Sequence, residues 1–434
     1  MEEILSLAKS VAEEAEVFQM SSQKTSVRFE ANQLKQVQTK ESSSVALRIV
    51  REGKIGFSAA AGLNEPGVLV DMAVETSQFG MPAKFDFPTS KSHPKVEVFD
   101  PEVDKVTTDN MVELGERLIA VIKEHTPDIL CEVSVTRNVS SVHIGNSKGG
   151  GAGYRKSLFA LGVEGVLVQD GDMLFVGDSI SSCHPAVDFK LIAEEVMRQL
   201  DLASRKANAP TGMVPVVFTP IGMASALISP LLLAFNGKMV LDGVSPLGKK
   251  RGKQVFDKQL SLWDDATLPY QPNSRICDDE GVSSRKTSLI NKGVIEDFLY
   301  DLQTAALANT QSTGSGSRHG GLPSPSISSL VIADGEVAFE DMVRDMKRGL
   351  VVEQLIGAEQ GNLLAGEFSG NVLLGYSVMD GEIVGRVKDT MVSGNVYQIL
   401  SQIEAVGEKS RWVDGFLRTP CLYCPSLSVA AKAR

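Results

Sequence analysis

The chain is poor in the residues that carry most recognisable catalytic and secretory signatures. Its 434 residues include five histidines, five cysteines and two tryptophans. The histidines are His93, His125, His143, His184 and His319, and none lies within five residues of another. A zinc-peptidase helix needs two imidazoles one turn apart on one face, with a glutamate beside them to activate the metal-bound water. That helix cannot form here. The cysteines (Cys131, Cys183, Cys277, Cys421 and Cys424) are few and odd in number, which excludes a disulfide framework and suits a reducing, cytoplasmic setting. Cys421 and Cys424 form one CxxC pair, where a structural zinc site usually needs a second. No run approaches 18 uninterrupted apolar residues, so no membrane span is expected. The N-terminus, Met1-Glu-Glu-Ile, lacks the basic start of a signal peptide. Positive charge is also in deficit. The formal net charge is −11, and an acidic surface repels phosphate backbones, so no nucleic-acid partner is expected. The one basic cluster, Lys249-Lys-Arg-Gly-Lys253, reads as a solvated loop. No Walker loop, serine elbow or 20–50-residue repeat is present. Gly149–Gly153 runs into a strand-like segment rather than the helix that a dinucleotide loop requires.

What is present is ordinary globular composition, with 43% hydrophobic and 22% charged residues. Helical patterns occupy about 2–15, 66–79, 107–125 and 187–206. Strand-like alternation occupies Ser26–Glu30, Ser44–Val50, Cys131–Arg137 and Ser140–Ile144. Turns are expected at Arg51–Lys54 and Asp170-Gly171. Hairpins outnumber crossovers, so the expected N-terminal domain, 1–207, is α/β with a mainly antiparallel sheet. Lys206–Pro215 reads as a linker. The expected second domain, 208–434, opens with a strand at Pro215–Phe218 and a helix at about 221–235. It then becomes β-rich, with strands such as Val294–Leu299, Leu350–Leu355 and Leu373–Val378 and a hairpin turn at Asp380-Gly381. The class is therefore α+β, with a C-terminal domain closed like a barrel.

One run of joined motifs stands out: Cys277-Asp-Asp-Glu-Gly-Val-Ser-Ser-Arg285, Lys286–Gly293 and Val294–Asp301. Adjacent carboxylates could work as an acid–base pair, or serve as turn acceptors with a salt bridge to Arg285. Further words follow in order: Ser312-Thr-Gly314 before a Gly-rich loop, Gly349–Leu355, Gly366–Gly370, Gly375–Ile383 and Val392–Leu400. Together these resemble the TldD/PmbA family, once called modulators of DNA gyrase and understood as parts of a zinc-dependent peptidase system. The chain departs from the family after its Gly-rich loop. It runs into Leu322-Pro-Ser-Pro-Ser326, where an aromatic or an asparagine is often found.

The catalytic branch of that family carries a His-Glu-x-x-x-His helix. The matching segment here, Met223–Asn236, holds no His, Glu, Asp or Cys. The chain is therefore similar to the PmbA (TldE) branch. The resemblance implies a non-catalytic, cytoplasmic subunit with no zinc of its own, paired with a TldD-type subunit that holds the zinc and cuts unfolded or leader peptides. It also implies a homodimer when the chain is alone. Asp279, Glu280, Arg285, Ser312, His319 and Asn395 are the candidates for contacts to peptide or partner. A metallopeptidase with an unconventional site and a non-enzymatic scaffold are the competing readings.

Overall fold

The computed structural model describes residues 1–62, 65–169 and 171–432. The N-terminal half is one curved, wholly antiparallel sheet built from six strands. These are β1 (Glu14–Glu30), β2 (Gln33–Arg51), β3 (Lys54–Ala61), β4 (Leu130–Asn146), β5 (Gly151–Gln169) and β6 (Asp172–Ser182), in the spatial order β3-β2-β1-β4-β5-β6. The strands are long and the turns tight. Ala31 and Asn32 both take positive φ between β1 and β2, which is the geometry that matches the twist of a two-residue hairpin. The turn expected at Asp170-Gly171 includes Asp170, which lies outside the described residues. The strands flanking it pair in register, Gln169 opposite Asp172.

Helices α1 (Glu2–Lys9) and α2 (Pro66–Ser77) cover one face of β1–β3, burying Ile4, Ala8, Leu69 and Ala73 against Val17, Val45, Leu47 and Ile49. The expected helix over 2–15 is thus cut to its first half. Residues Ala15–Phe18 are buried on both faces, and a strand satisfies their backbone groups by pairing with two neighbours. Helices α3 (Thr108–His125) and α4 (Phe189–Ala203) are fixed by N-caps, where Thr107 and Asp188 side chains accept from the first turn.

The C-terminal half contains a closed five-strand barrel. Strand β7 (Gly212–Phe218) pairs in parallel with Arg348–Ile356 and antiparallel with Leu417–Ala431. Glu367–Met379 and Thr390–Asn395 complete the ring. Closure removes the free edges that an open sheet exposes. Val216, Phe218, Leu350 and Val352 point inward. The alternate residues Val217 and Val351 point outward, into a core shared with α3, α4 and the strands of the N-terminal sheet. Extra strands extend from the ring. Ala405–Val413 pairs beside Leu417–Ala431, and Leu330–Ile332, Leu262–Asp265 and Lys286–Asn291 continue outward from it. The expected strand over Val294–Leu299 is reduced to Val294–Ile295.

The single helix expected over 221–235 is two short ones, α5 (Pro220–Ala226) and α6 (Ile228–Ala234). Proline inside a continuous helix removes one hydrogen bond and clashes with the carbonyl four residues earlier. A break at Leu227 places Pro230 in the first turn of α6, where no intrahelical partner for its nitrogen is needed.

Candidate functional site

Two of the six sequence candidates, Asp279 and Glu280, lie at the contact between the two halves. On β1 and β2, odd-numbered side chains face α1 and α2, so Glu16, Phe18, Ala46 and Arg48 face the other way, toward Ile276, Cys277 and the following turn. Arg48 donates to Glu280 Oε1 at 2.6 Å and to Glu16 Oε2 at 2.7 Å. Its guanidinium lies 4.5 Å from the Phe85 ring centre and 5.0 Å from that of Phe87. Arg318 pairs with the second oxygen of Glu16 and donates its backbone N–H to Asp279 at 2.8 Å. Asp278 accepts from the backbone of Glu280, Val282 and Gly316 at 2.8 to 3.0 Å. The remaining Glu280 oxygen accepts from Leu302 N at 2.7 Å. Burial pushes the Asp278 and Glu280 carboxyls above their ordinary range. Arg275 opposes that shift at the first and Arg48 at the second.

The salt bridge expected between this acidic run and Arg285 is replaced by pairs to Arg48 and, at 4.0 Å, from Arg275 to Asp279. Arg285 instead donates to the Ser312 carbonyl, and the Ser312 hydroxyl donates to Tyr300 O at 3.1 Å. His319 is exposed at the end of the loop beyond Arg318. Asn395 stands apart on the barrel, where it caps Val396–Ile399 and ties down Ala365.

A separate cleft of about 1120 Å³ opens between the N-terminal sheet and α5–α6. One wall is polar: Ser26 and Arg28 of β1, Ser134 and Thr136 of β4, and Glu164 of β5. The opposite wall is one face of the two short helices, with Ile221, Ala224, Ser225, Ile228, Ser229 and Leu232. Within each helix, spacings of three and four residues put these side chains on one side. The lining also includes Glu359, Arg411, Trp412 and Asp414. None of the six sequence candidates is among the lining residues.

The helix wall does not fit zinc. Neither α5 nor α6 carries an imidazole, thiol or carboxylate, and a zinc site needs three or four such ligands. Among the described residues, no three His, Cys, Asp or Glu side chains converge on a common point. The two serine hydroxyls are committed locally. Ser225 donates to Gly222 O and accepts from Leu355 N, both at 3.1 Å, and Ser229 donates to Glu359 at 2.5 Å. Nor do Cys421 and Cys424 make a chelate. They lie three apart within strand Leu417–Ala431, so they point to opposite faces, Cys424 into the barrel core and Cys421 toward the shared core. Burial pushes both thiols up, Cys421 to about 12.

Several of these residues escape motif reading. Arg48 leaves a trace, because a lone cation inside the apolar run Val45–Val50 marks a paired buried charge. The hairpin that carries Asp414 also leaves one, the Asp414-Gly415 dipeptide between two strands. The α5–α6 wall is visible only as a lack of ligands.

Residues 211–431 match the family description PmbA/TldA metallopeptidase C-terminal domain, and residues 15–77 match PmbA/TldA metallopeptidase domain 1. An uncharacterized protein of Methanocaldococcus jannaschii is 25% identical over 409 residues, with 93% of each chain covered. Metalloprotease PmbA of Escherichia coli O157:H7 is 24% identical over 420 residues, covering 93% of this chain and 89% of that one. The crystal structure of TldE from Thermococcus kodakarensis shares the fold with a TM-score of 0.90 at 22% identity, covering 99% of this chain and 100% of that one. Among the described residues no helix is long and apolar enough to cross a membrane. The profile matches, the closed barrel and the curved antiparallel sheet lead to one conclusion: the chain belongs to the PmbA/TldD metallopeptidase family.

Proposed function

We propose that this chain is a PmbA/TldE-type subunit that binds no zinc itself, shapes a peptide-binding cleft and acts with a TldD-type subunit that supplies the metal and the cut. The observation that carries this reading is the α5–α6 wall. By resemblance it corresponds to the family's metal helix; it lines the cleft, and it offers only aliphatic groups and two hydroxyls already engaged in hydrogen bonds. A wall of that kind can hold a substrate backbone in place, but it cannot polarise a water molecule or a carbonyl. The cleft volume, about 1120 Å³, suits several extended residues. Its hydroxyl and aliphatic groups suit contacts along the main chain of an extended segment. The setting is the cytoplasm, the substrates are unfolded or leader peptides, and in the absence of its partner the chain pairs with itself, since a surface shaped for a homologue also accepts a copy.

The test is reconstitution. The purified chain and a TldD-type chain from the same source are assayed alone and mixed, using an unfolded protein as substrate. This reading expects cleavage only in the mixture and a stable complex on size-exclusion chromatography. Cleavage by the chain alone, or a TldD-type partner equally active without it, overturns the reading.

A further inference from the structure

The charges around the cleft do not balance. Two of its acids are neutralised: Asp178 is ion-paired with Arg411, and Glu132 lies 3.7 Å from Arg28. Three others, Glu164, Glu359 and Asp414, have no cation within ion-pair distance among the described residues, although all three line the same cavity. They come from separate elements. Glu164 lies on β5, Glu359 on the short helix Ala358–Gln360, and Asp414 on the turn between Ala405–Val413 and Leu417–Ala431.

Asp414 lies in the turn with φ of 50°, a left-handed conformation in which Asp is enriched over most non-glycine residues. The turn packs so closely that a Cβ at Gly415 would sit 2.5 Å from Ser181 Oγ. Burial lifts the Asp414 carboxyl above its ordinary range, with no cation opposing the shift. The same lining includes the aromatic and aliphatic groups of Trp412, Phe175 and Leu232. Such surfaces receive the alkyl stems and cationic heads of lysine and arginine.

Building on the reading of the cleft as a peptide site, we infer that it selects cationic, extended polypeptide segments, seating lysine or arginine side chains among Glu164, Glu359 and Asp414. Three partly exposed ion pairs give a preference on the order of tenfold over an uncharged segment, and the preference weakens as salt screens it.

Fluorescence anisotropy on the intact chain tests this, using three labelled unstructured peptides of equal length that are lysine-rich, glutamate-rich and Gly/Ser-only. The lysine-rich peptide is expected to bind about tenfold more tightly than the Gly/Ser peptide, and the glutamate-rich one most weakly. The triple variant E164Q/E359Q/D414N is expected to lose the gap, and E164Q alone, at an exposed strand position, to lose part of it. The control E2Q/E3Q/D71N removes the same net charge from the outer helices and is expected to keep the gap. Equal binding of the lysine-rich and Gly/Ser peptides overturns the selectivity while leaving a peptide cleft in place. An equal loss in the control triple overturns it in the same way. Failure of all three peptides to bind overturns the peptide reading as well.

Discussion

Arg48 shows how one side chain couples the two halves. It is fully buried between Glu16 and Glu280, beneath the rings of Phe85 and Phe87. Removing one partner of a buried ion pair costs about 3–5 kcal/mol, because the other charge is left uncompensated. Arg48→Met is therefore expected to lower the urea unfolding free energy by about that amount, whereas Arg28→Met, at an exposed pair, changes it by about 0.5 kcal/mol or less. Equal effects would show that the cluster does not hold the halves together. The same cluster has a pH signature. Burial holds Glu280 above its ordinary range against the pull of Arg48. A carboxyl raised in the fold contributes stability that is full below its unfolded value and lost as pH rises through the raised one. Stability should thus fall as pH climbs from the unfolded carboxylate range toward neutrality. Glu280→Gln, which cannot ionise, should flatten that fall in urea midpoints, and an unchanged slope would assign it to other groups. Little of this was legible beforehand. The Asp278–Glu280 run was recognisable as a turn, but the partner of Glu280, Arg48, lies 232 residues away, and the nearer Arg285 was the wrong one.

At the scale of elements, helix starts were the legible part. Those expected at about 107 and 187 fall on Thr107 and Asp188, whose side chains each accept a hydrogen bond from a first turn, and capping chemistry is local enough to read from sequence. Strand lengths were not. Alternation fails where both faces are covered, as at Ala15–Phe18, and where both are exposed, as at Gln33–Ser44. The long β1–β2 hairpin was therefore visible only in fragments. One acid ties β6 to the 206–211 segment and to the chain beside the barrel, alongside the backbone hydrogen bond between Ala207 and Arg386. Asp172 pairs with Arg386, with Lys388 at 2.6 Å and with Lys206 at 2.9 Å. Burial works against ionisation there, but the three cations overcome it and hold the carboxyl well below the usual range. A depressed acid stabilises the fold above its unfolded value, and that contribution fades as pH falls through the folded one. Asp172→Asn should be destabilising at neutral pH, with a difference from the parent that narrows toward acid. A pH-independent difference would point to lost packing instead.

For the whole molecule, the shared core decides how the halves behave. Val217, Val351, Tyr376 and Val378 of the barrel are buried with Ile122, Leu118, Ile192 and Val196 of α3 and α4, each contributing roughly 1.5–3 kcal/mol by burial. Separation of the halves would expose all of them, so scanning calorimetry should show one cooperative transition. Two well-separated peaks would mean that each half folds on its own. The α+β class and the barrel were legible because strand and turn signals dominate after residue 236. The cleft was not, since it forms between distant segments and is distinguished by groups that it lacks. That lack is the core of the functional account: a member of a metallopeptidase family whose α5–α6 wall presents Ile221, Ser225, Ile228 and Ser229 and carries no imidazole, thiol or carboxylate. Metal analysis of the purified chain, after equilibration with zinc and removal of the loosely bound ion, tests it most directly. The account predicts zinc far below one ion per chain; one tightly held zinc per chain would contradict it.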